Sequence, residues 1–213
     1  MSVVLGKPEV PTHWFLDANV LFSEWTRWLM VELARQHQAQ LYWTPHIENE
    51  CYRNLVRLGR LHQDDADRER IALPSRLGAV LLPQAHEPYL ADVRPVDEKD
   101  RHVAASALAL RHQVHSTVGL LTWNVKDFPR KQLLKLGLVR YSPDELFIEL
   151  KKNRSEAAEA LDRTVLLMQS SLQAHNPLHP TVYQSKANPL PSSPADWQSF
   201  LARNRMHRTA KLL

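Results

Sequence analysis

Cysteine is nearly absent from this 213-residue chain. Cys51 stands alone, which excludes an intrachain disulfide and any zinc cluster built on cysteines. Glycine is scarce too: five residues, none of them in a GxGxxG or GxxxxGK[ST] pattern, so a glycine-rich nucleotide cradle is not expected. No run of about 18 apolar residues occurs, and no membrane span is expected. The stretch from Met1 to Thr12 carries one lysine and two prolines but no apolar signal-peptide core, so a cytoplasmic location is the expectation. What the chain does contain is globular in kind: 44% hydrophobic and 23% charged residues are enough to build a core. The length suits one domain with an appendage, or one large domain.

The formal net charge of +4 is unevenly spread. Residues 1–150 hold 18 Lys and Arg against 19 Asp and Glu, whereas residues 151–213 hold 9 against 4. A near-neutral body, 1–150, and a basic extension, 151–213, are therefore expected. The basic balance suits a polyanion, an acidic protein, or simply a solvated tail.

Apolar runs and helical periodicity alternate along the body. Strands are expected at His13–Asp17, Gln40–Thr44, Ala79–Leu82, Gly119–Thr122 and Leu138–Tyr141. Helices are expected at about Leu21–Gln38, from Thr44-Pro45 onward, through Asp64–Leu73, and from Asp97 to about His112. Ser142-Pro143-Asp144-Glu145 reads as a capping box opening another helix. Without two-residue hairpin turns, the alternation predicts an α/β fold with a largely parallel sheet flanked by helices. Past Glu149, residues 151–174 could prolong the helix, with Leu161, Val165, Met168 and Leu172 at helical spacing. Five prolines between Asn176 and Pro194 predict an irregular connector. Ser193 to Asp196 then caps a last helix, in which Trp197, Phe200 and Leu201 are expected to dock on the body or on a partner. Arg203, Arg205, Arg208 and Lys211 follow them and are expected to face outward.

Acid and amide groups recur where strands meet helices. Asp17 ends an apolar strand, where a carboxylate is costly unless a metal or hydrogen bonds satisfy it; capping the next helix, with Asn19 as an alternative cap, is the plainer role. Glu48 and Glu50 flank the apolar face set by Ile47, Cys51, Leu55 and Leu58, and periodicity does not choose between them. Cys51 itself reads as a small buried hydrophobe. Three acids crowd the stretch Asp97-Glu98-Lys99-Asp100. Acids favour a first helical turn in any case, but Asp97 suffices as the cap, which leaves Asp100 as the stronger functional candidate. Thr122, Asn124 and Asp127 share one loop after a strand, a composition that ordinary turns also favour.

The ordered set Phe15-Leu-Asp17-Ala-Asn19-Val-Leu21, Thr44-Pro45 with Glu50, Asp97-x-x-Asp100-Arg-His-Val-Ala-Ala, and Thr122-x-Asn124-x-x-Asp127-Phe-Pro resembles the PIN domain. Within it the pattern is similar to VapC-like ribonuclease toxins, over roughly residues 13–149. The resemblance implies a metal-dependent endoribonuclease with catalytic Asp17, Glu50, Asp100 and Asp127. Of these, Asp17, Asp100 and Asp127 would hold Mg²⁺ or Mn²⁺. It also selects Glu50 over Glu48 and Asp100 over Asp97. Asn19, Thr122 and Asn124 take substrate- or water-positioning places, although many members carry Asp where this chain has Asn124. Implied partners are RNA, such as tRNA or another structured RNA, an antitoxin protein, and a second copy of the chain in a homodimer. Hard oxygen donors and retained waters are what Mg²⁺ selects, so the acid set agrees.

Other readings fare less well. A PIN-like module that binds RNA without cutting it has no need to cluster anions near a phosphate. A DNA-binding regulator lacks a helix-turn-helix pair in the basic tail. An aspartyl phosphatase would want a second Asp where Asn19 stands. Ligand-like spacings at His112-x-x-His115 and His175-x3-His179 lack accompanying cysteines, and Pro177 interrupts the second. His102, beside Asp100, could stand near the acid site, but a helix-surface role is the plainer reading.

Overall fold

The computed structural model describes residues 10–83, 85–153, 163 and 194–211. Five strands, β1 (His13–Leu16), β2 (Gln40–Trp43), β3 (Val80–Leu81), β4 (Val118–Leu121) and β5 (Leu138–Tyr141), form one sheet in the order β3-β2-β1-β4-β5. Every pairing is parallel. The chain is thus α/β with a parallel sheet flanked by helices, as its alternation predicts. Its inner strands are nearly unbroken apolar runs; Trp14-Phe15-Leu16 and Val118 to Leu121 are buried throughout, as a sheet covered on both faces requires. Gly119 lies opposite Trp14 in the β1–β4 register, where an added Cβ would come within 3.1 Å of Trp14 Cδ1. Glycine there makes room for the indole.

The helices are α1 (Ala18–Leu21), α2 (Glu24–His37), α3 (Pro45–Arg57), α4 (Gln63–Arg76), α5 (Arg101–Val114), α6 (Arg130–Lys135), α7 (Pro143–Asn153), α8 (Pro194–Arg203) and α9 (His207–Ala210). The helix expected at about Leu21–Gln38 is α2, which starts at Glu24 because Ser23 caps it by accepting from Thr26 N–H at 3.3 Å; the short α1 precedes it. Thr44 caps α3 in the same way, accepting from Ile47 N–H at 3.4 Å with Pro45 at the first position. The capping box forms reciprocally: Glu145 N–H donates to Ser142 Oγ at 3.1 Å, and Ser142 N–H to Glu145 Oε2 at 2.9 Å. Among the described residues no helix is long and apolar enough to cross a membrane.

The last helices sit on the body. Phe200 meets Trp25 of α2 edge-on at 5.0 Å between ring centroids, and Trp197 lies 5.6 Å from the same ring. Phe200 and Leu201 are fully buried. Asp144 anchors the far end: its carboxylate accepts from Arg208 N–H at 3.0 Å, Thr209 N–H at 2.9 Å and Thr209 Oγ1 at 2.7 Å. These are orphan donors of the first turn of α9, satisfied from α7. Apart from residue 163, which is helical, the expected extension of the helix beyond residue 153, with Leu161, Val165, Met168 and Leu172, lies outside the described residues, as does the proline-rich connector before Pro194.

Candidate functional site

In the sheet, β1 is central: the chain builds outward through β2 and β3, then returns to place β4 on the other side of β1. The carboxyl ends of β1 and β4 therefore flank the switch point where open α/β sheets form their crevice. Asp17 directly follows β1, and Thr122 directly follows β4. Thr122 Oγ1 donates to Asp17 Oδ2 at 2.6 Å, and Asn19 Nδ2 donates to the same oxygen at 2.6 Å. Asn19 Oδ1 in turn accepts from Trp123 N–H at 2.9 Å, and Thr122 Oγ1 from Asn124 N–H at 2.9 Å. Asp17 occupies the N-cap position of α1, yet its side chain makes no capping bond. Its carboxyl is buried, which raises its pKa against the opposing Thr122 hydrogen bond, with Glu50 adding to the rise.

Asp100 arrives at the end of a 3₁₀ turn, Glu98–Asp100, that leads into α5. Asp97 caps this turn by accepting from Lys99 N–H at 3.3 Å, so its carboxylate is engaged as the sequence suggests. Asp100 is buried, and its Oδ2 has no hydrogen-bond partner. Burial, the Asp17 charge and proximity to Asp127 push its pKa to about 6, against the pull of Lys99. Asp127, half-buried in the loop after β4, is tied in by Asp97 N–H, which donates to its carbonyl at 3.2 Å. Lys99 Nζ lies 3.3 Å from Asp127 Oδ2 and offsets part of the negative charge. Asp100 Oδ2 is thus a buried oxygen without a partner, and hard oxygen donors of this kind suit Mg²⁺ or Mn²⁺, but Asp17, Asp100 and Asp127 do not bring their ligand atoms within 4.8 Å of one another.

The two glutamates of α3 part company. Glu48 is buried and accepts from Trp43 Nε1 at 3.1 Å, a structural role. Glu50 is half-buried and turns to His102, whose Nε2 stands 3.5 Å from Glu50 Oε2. That contact lowers the Glu50 pKa. Burial works against a charge on His102, but Glu50, with Asp17 and the Lys99 backbone, outweighs it and raises its pKa. His102 is half-buried beside Glu50, so of its two readings the place near the site holds rather than the helix surface. His46, one helical turn before Glu50, lies 4.6 Å from the His102 ring, and the buried His86 ring is 6.3 and 6.4 Å from these two. The His46-x3-Glu50 spacing was visible in the sequence, but the approach of His86 and His102 was not. Cys51 is buried with its pKa pushed up to about 12, an inert thiol.

Asp17, Asn19, Glu50, Asp100, Trp123 and Asn124 line one cleft of about 530 Å³. Thr122 and Asp127 are not part of its lining; Thr122 is buried and bonded to Asp17, and Asp127 lies beside Asp100. Arg57 and Arg60 from the end of α3 and its following turn, and Arg203 and Arg205 from the C-terminal segment, line the same cleft. The last two are exposed, as expected, and α8 docks so that they also line this cleft. An anionic floor walled by arginines can hold a cation and a phosphate together. Neither protein-family models, curated proteins nor solved structures gave a match to this chain.

Proposed function

We propose that this chain is a divalent-metal-dependent endoribonuclease of the PIN type, VapC-like in its motifs, acting on tRNA or another structured RNA. The observation that carries the reading is the cleft at the switch point, where Asp17, Glu50 and Asp100 meet four arginines. A protein that only gripped RNA would gain nothing from a buried carboxylate oxygen without a partner, because buried anions repel the phosphates they would have to meet.

Each group has a part in such hydrolysis. Thr122 and Asn19 fix the Asp17 carboxylate, and Asp100 and Asp127 complete the donor set. When bound, Mg²⁺ or Mn²⁺ would lower the pKa of a water and offset charge gathering on the scissile phosphate. Glu50, kept ionised at neutral pH, is available to orient the attacking water. Arg57, Arg60, Arg203 and Arg205 receive the RNA backbone, and Trp123 offers a base a stacking partner. The water oxygen bonds to phosphorus as the P–O3′ bond breaks, leaving a 5′-phosphate and a 3′-hydroxyl.

Purified protein should cleave structured RNA with Mg²⁺ or Mn²⁺, stop with excess EDTA, and leave those two termini. Products ending in 2′,3′-cyclic phosphate would mean attack by the RNA's own 2′-hydroxyl and would sink the water mechanism. Tight binding with no cleavage at any divalent concentration would point instead to an RNA-binding module.

The arginine wall has its own signature. Replacing Arg203 and Arg205 by Ala in the full chain should weaken RNA binding and reduce its log–log salt slope by about 0.7–0.9 per lost phosphate contact. An unchanged slope in the folded double variant would remove these arginines from the RNA path. The toxin role, with an antitoxin and a second copy of the chain as partners, rests on the resemblance of the motifs. A small adjacent reading frame whose product binds this chain and silences it is the expected finding, and cleavage unaffected by the neighbouring product would remove that role.

A further inference from the structure

His46, Glu50 and His102 each bring one ligand atom to within 4.8 Å of the others. His46 and Glu50 sit four residues apart on α3, and His102 comes from the first turn of α5. Two imidazoles and a carboxylate form a donor set unlike the all-oxygen set of Asp17, Asp100 and Asp127. Nitrogen donors favour borderline transition ions over Mg²⁺. Two His and one Glu is also a donor set found in zinc sites that keep a position open.

We propose that His46, Glu50 and His102 form a second metal site, selective for a borderline divalent transition ion such as Zn²⁺. Three features favour a cation over a simple ion pair. His102 Nε2 is buried and makes no hydrogen bond, although Glu50 Oε2 is 3.5 Å away. His46 is exposed, so an ion has an entry path. The ligand atoms need to close only from 4.8 Å to the roughly 3.3 Å set by metal–ligand bonds of about 2.0–2.1 Å, a matter of small side-chain rotations. His86, buried beside both rings, is the nearest further imidazole for the remaining position. The site goes beyond the nuclease reading and stands whether or not the chain cuts RNA.

The test is calorimetric titration of the tag-free, metal-stripped full chain with Zn²⁺, in the presence of excess Mg²⁺. One Zn²⁺ per chain should bind, and Mg²⁺ should not displace it. His46→Ala and His102→Gln should each weaken binding at least about tenfold, since even outer-shell changes cost that much. Asp127→Asn, which removes an acid outside this cluster, should leave the affinity within a factor of about two. On NMR, the His46 and His102 ring nitrogens should shift when Zn²⁺ is added. His46 is exposed, so His46→Ala tests the site without threatening the core. The site is overturned if His46→Ala binds Zn²⁺ as the wild type does, if Asp127→Asn abolishes binding, or if no Zn²⁺ binds at all. RNA cleavage enters none of these outcomes, so failure of the nuclease reading is told apart from failure of this one.

Discussion

Asp100→Asn is expected to abolish RNA cleavage and, without divalent ions, to make the protein more stable than the wild type. The loss follows from removing one anionic donor of the acid set, and at least about a 100-fold fall in rate, roughly 2.7 kcal/mol, is expected. The gain in stability follows from the sign of the pKa shift. Asp100 moves from an ordinary 3.8 to about 6 in the folded protein, so between those values the folded state holds a proton that the unfolded state has released. Metal-free stability therefore falls as pH rises through that window and stays low above it. The full shift would correspond to roughly 3 kcal/mol, and solvent reaching the cleft lowers the expected figure to about 1–3 kcal/mol. Asn carries no such charge. The variant should melt higher at about pH 8, by about 2–4 °C per kcal/mol, and match the wild type near pH 4. Added Mg²⁺ should reverse the order by stabilising only the wild type. Thermal melts at both pH values, with and without Mg²⁺, check this; a variant less stable at about pH 8 without metal would show that Asp100 is satisfied in some other way.

Phe200→Ala is expected to undo the C-terminal dock. Phe200 is fully buried edge-on against Trp25, and truncating such a ring costs about 3–5 kcal/mol. Asp144→Ala should act on the same dock from the other end, leaving Arg208 N–H, Thr209 N–H and the Thr209 hydroxyl without their acceptor. Both variants should also weaken RNA binding and flatten its salt dependence, because Arg203 and Arg205 reach the cleft only while the dock holds. Denaturant melts combined with salt-dependent binding separate the effects. Two destabilised variants that bind RNA with the wild-type salt slope would show that the dock only covers apolar surface. Deleting everything after residue 149 is a poorer experiment, since it would bare Trp25.

How much was legible in the sequence varies with how local each signal is. The capping box at Ser142 and Glu145, the cap at Thr44 with Pro45, and the cap at Asp97 all form, because they depend on neighbours within three residues. Two local signals fell short. Ser23 falls inside the expected helix although it caps one, and the position of Glu48 flanking the apolar face does not tell that Trp43 Nε1 takes it into the core. The motifs around Asp17, Asp100 and Asp127 marked those residues out, yet nothing local to them shows that Asp100 Oδ2 lacks a partner.

By itself, the sequence determined the alternation of strand and helix, the parallel sheet and the places of the acids at strand and helix ends, because each follows from periodicity and short-range hydrogen bonding. Only the tertiary structure decided that Glu48 turns into the core, that His46, His86 and His102 gather beside Glu50, and that arginines about 185 residues downstream of Asp17 line the same cleft. Those neighbours come from separate elements, brought together by the strand order of the sheet and by the docking of Phe200 on Trp25. Packing over such distances in the chain leaves no periodic trace at either end, so no window of sequence contains it.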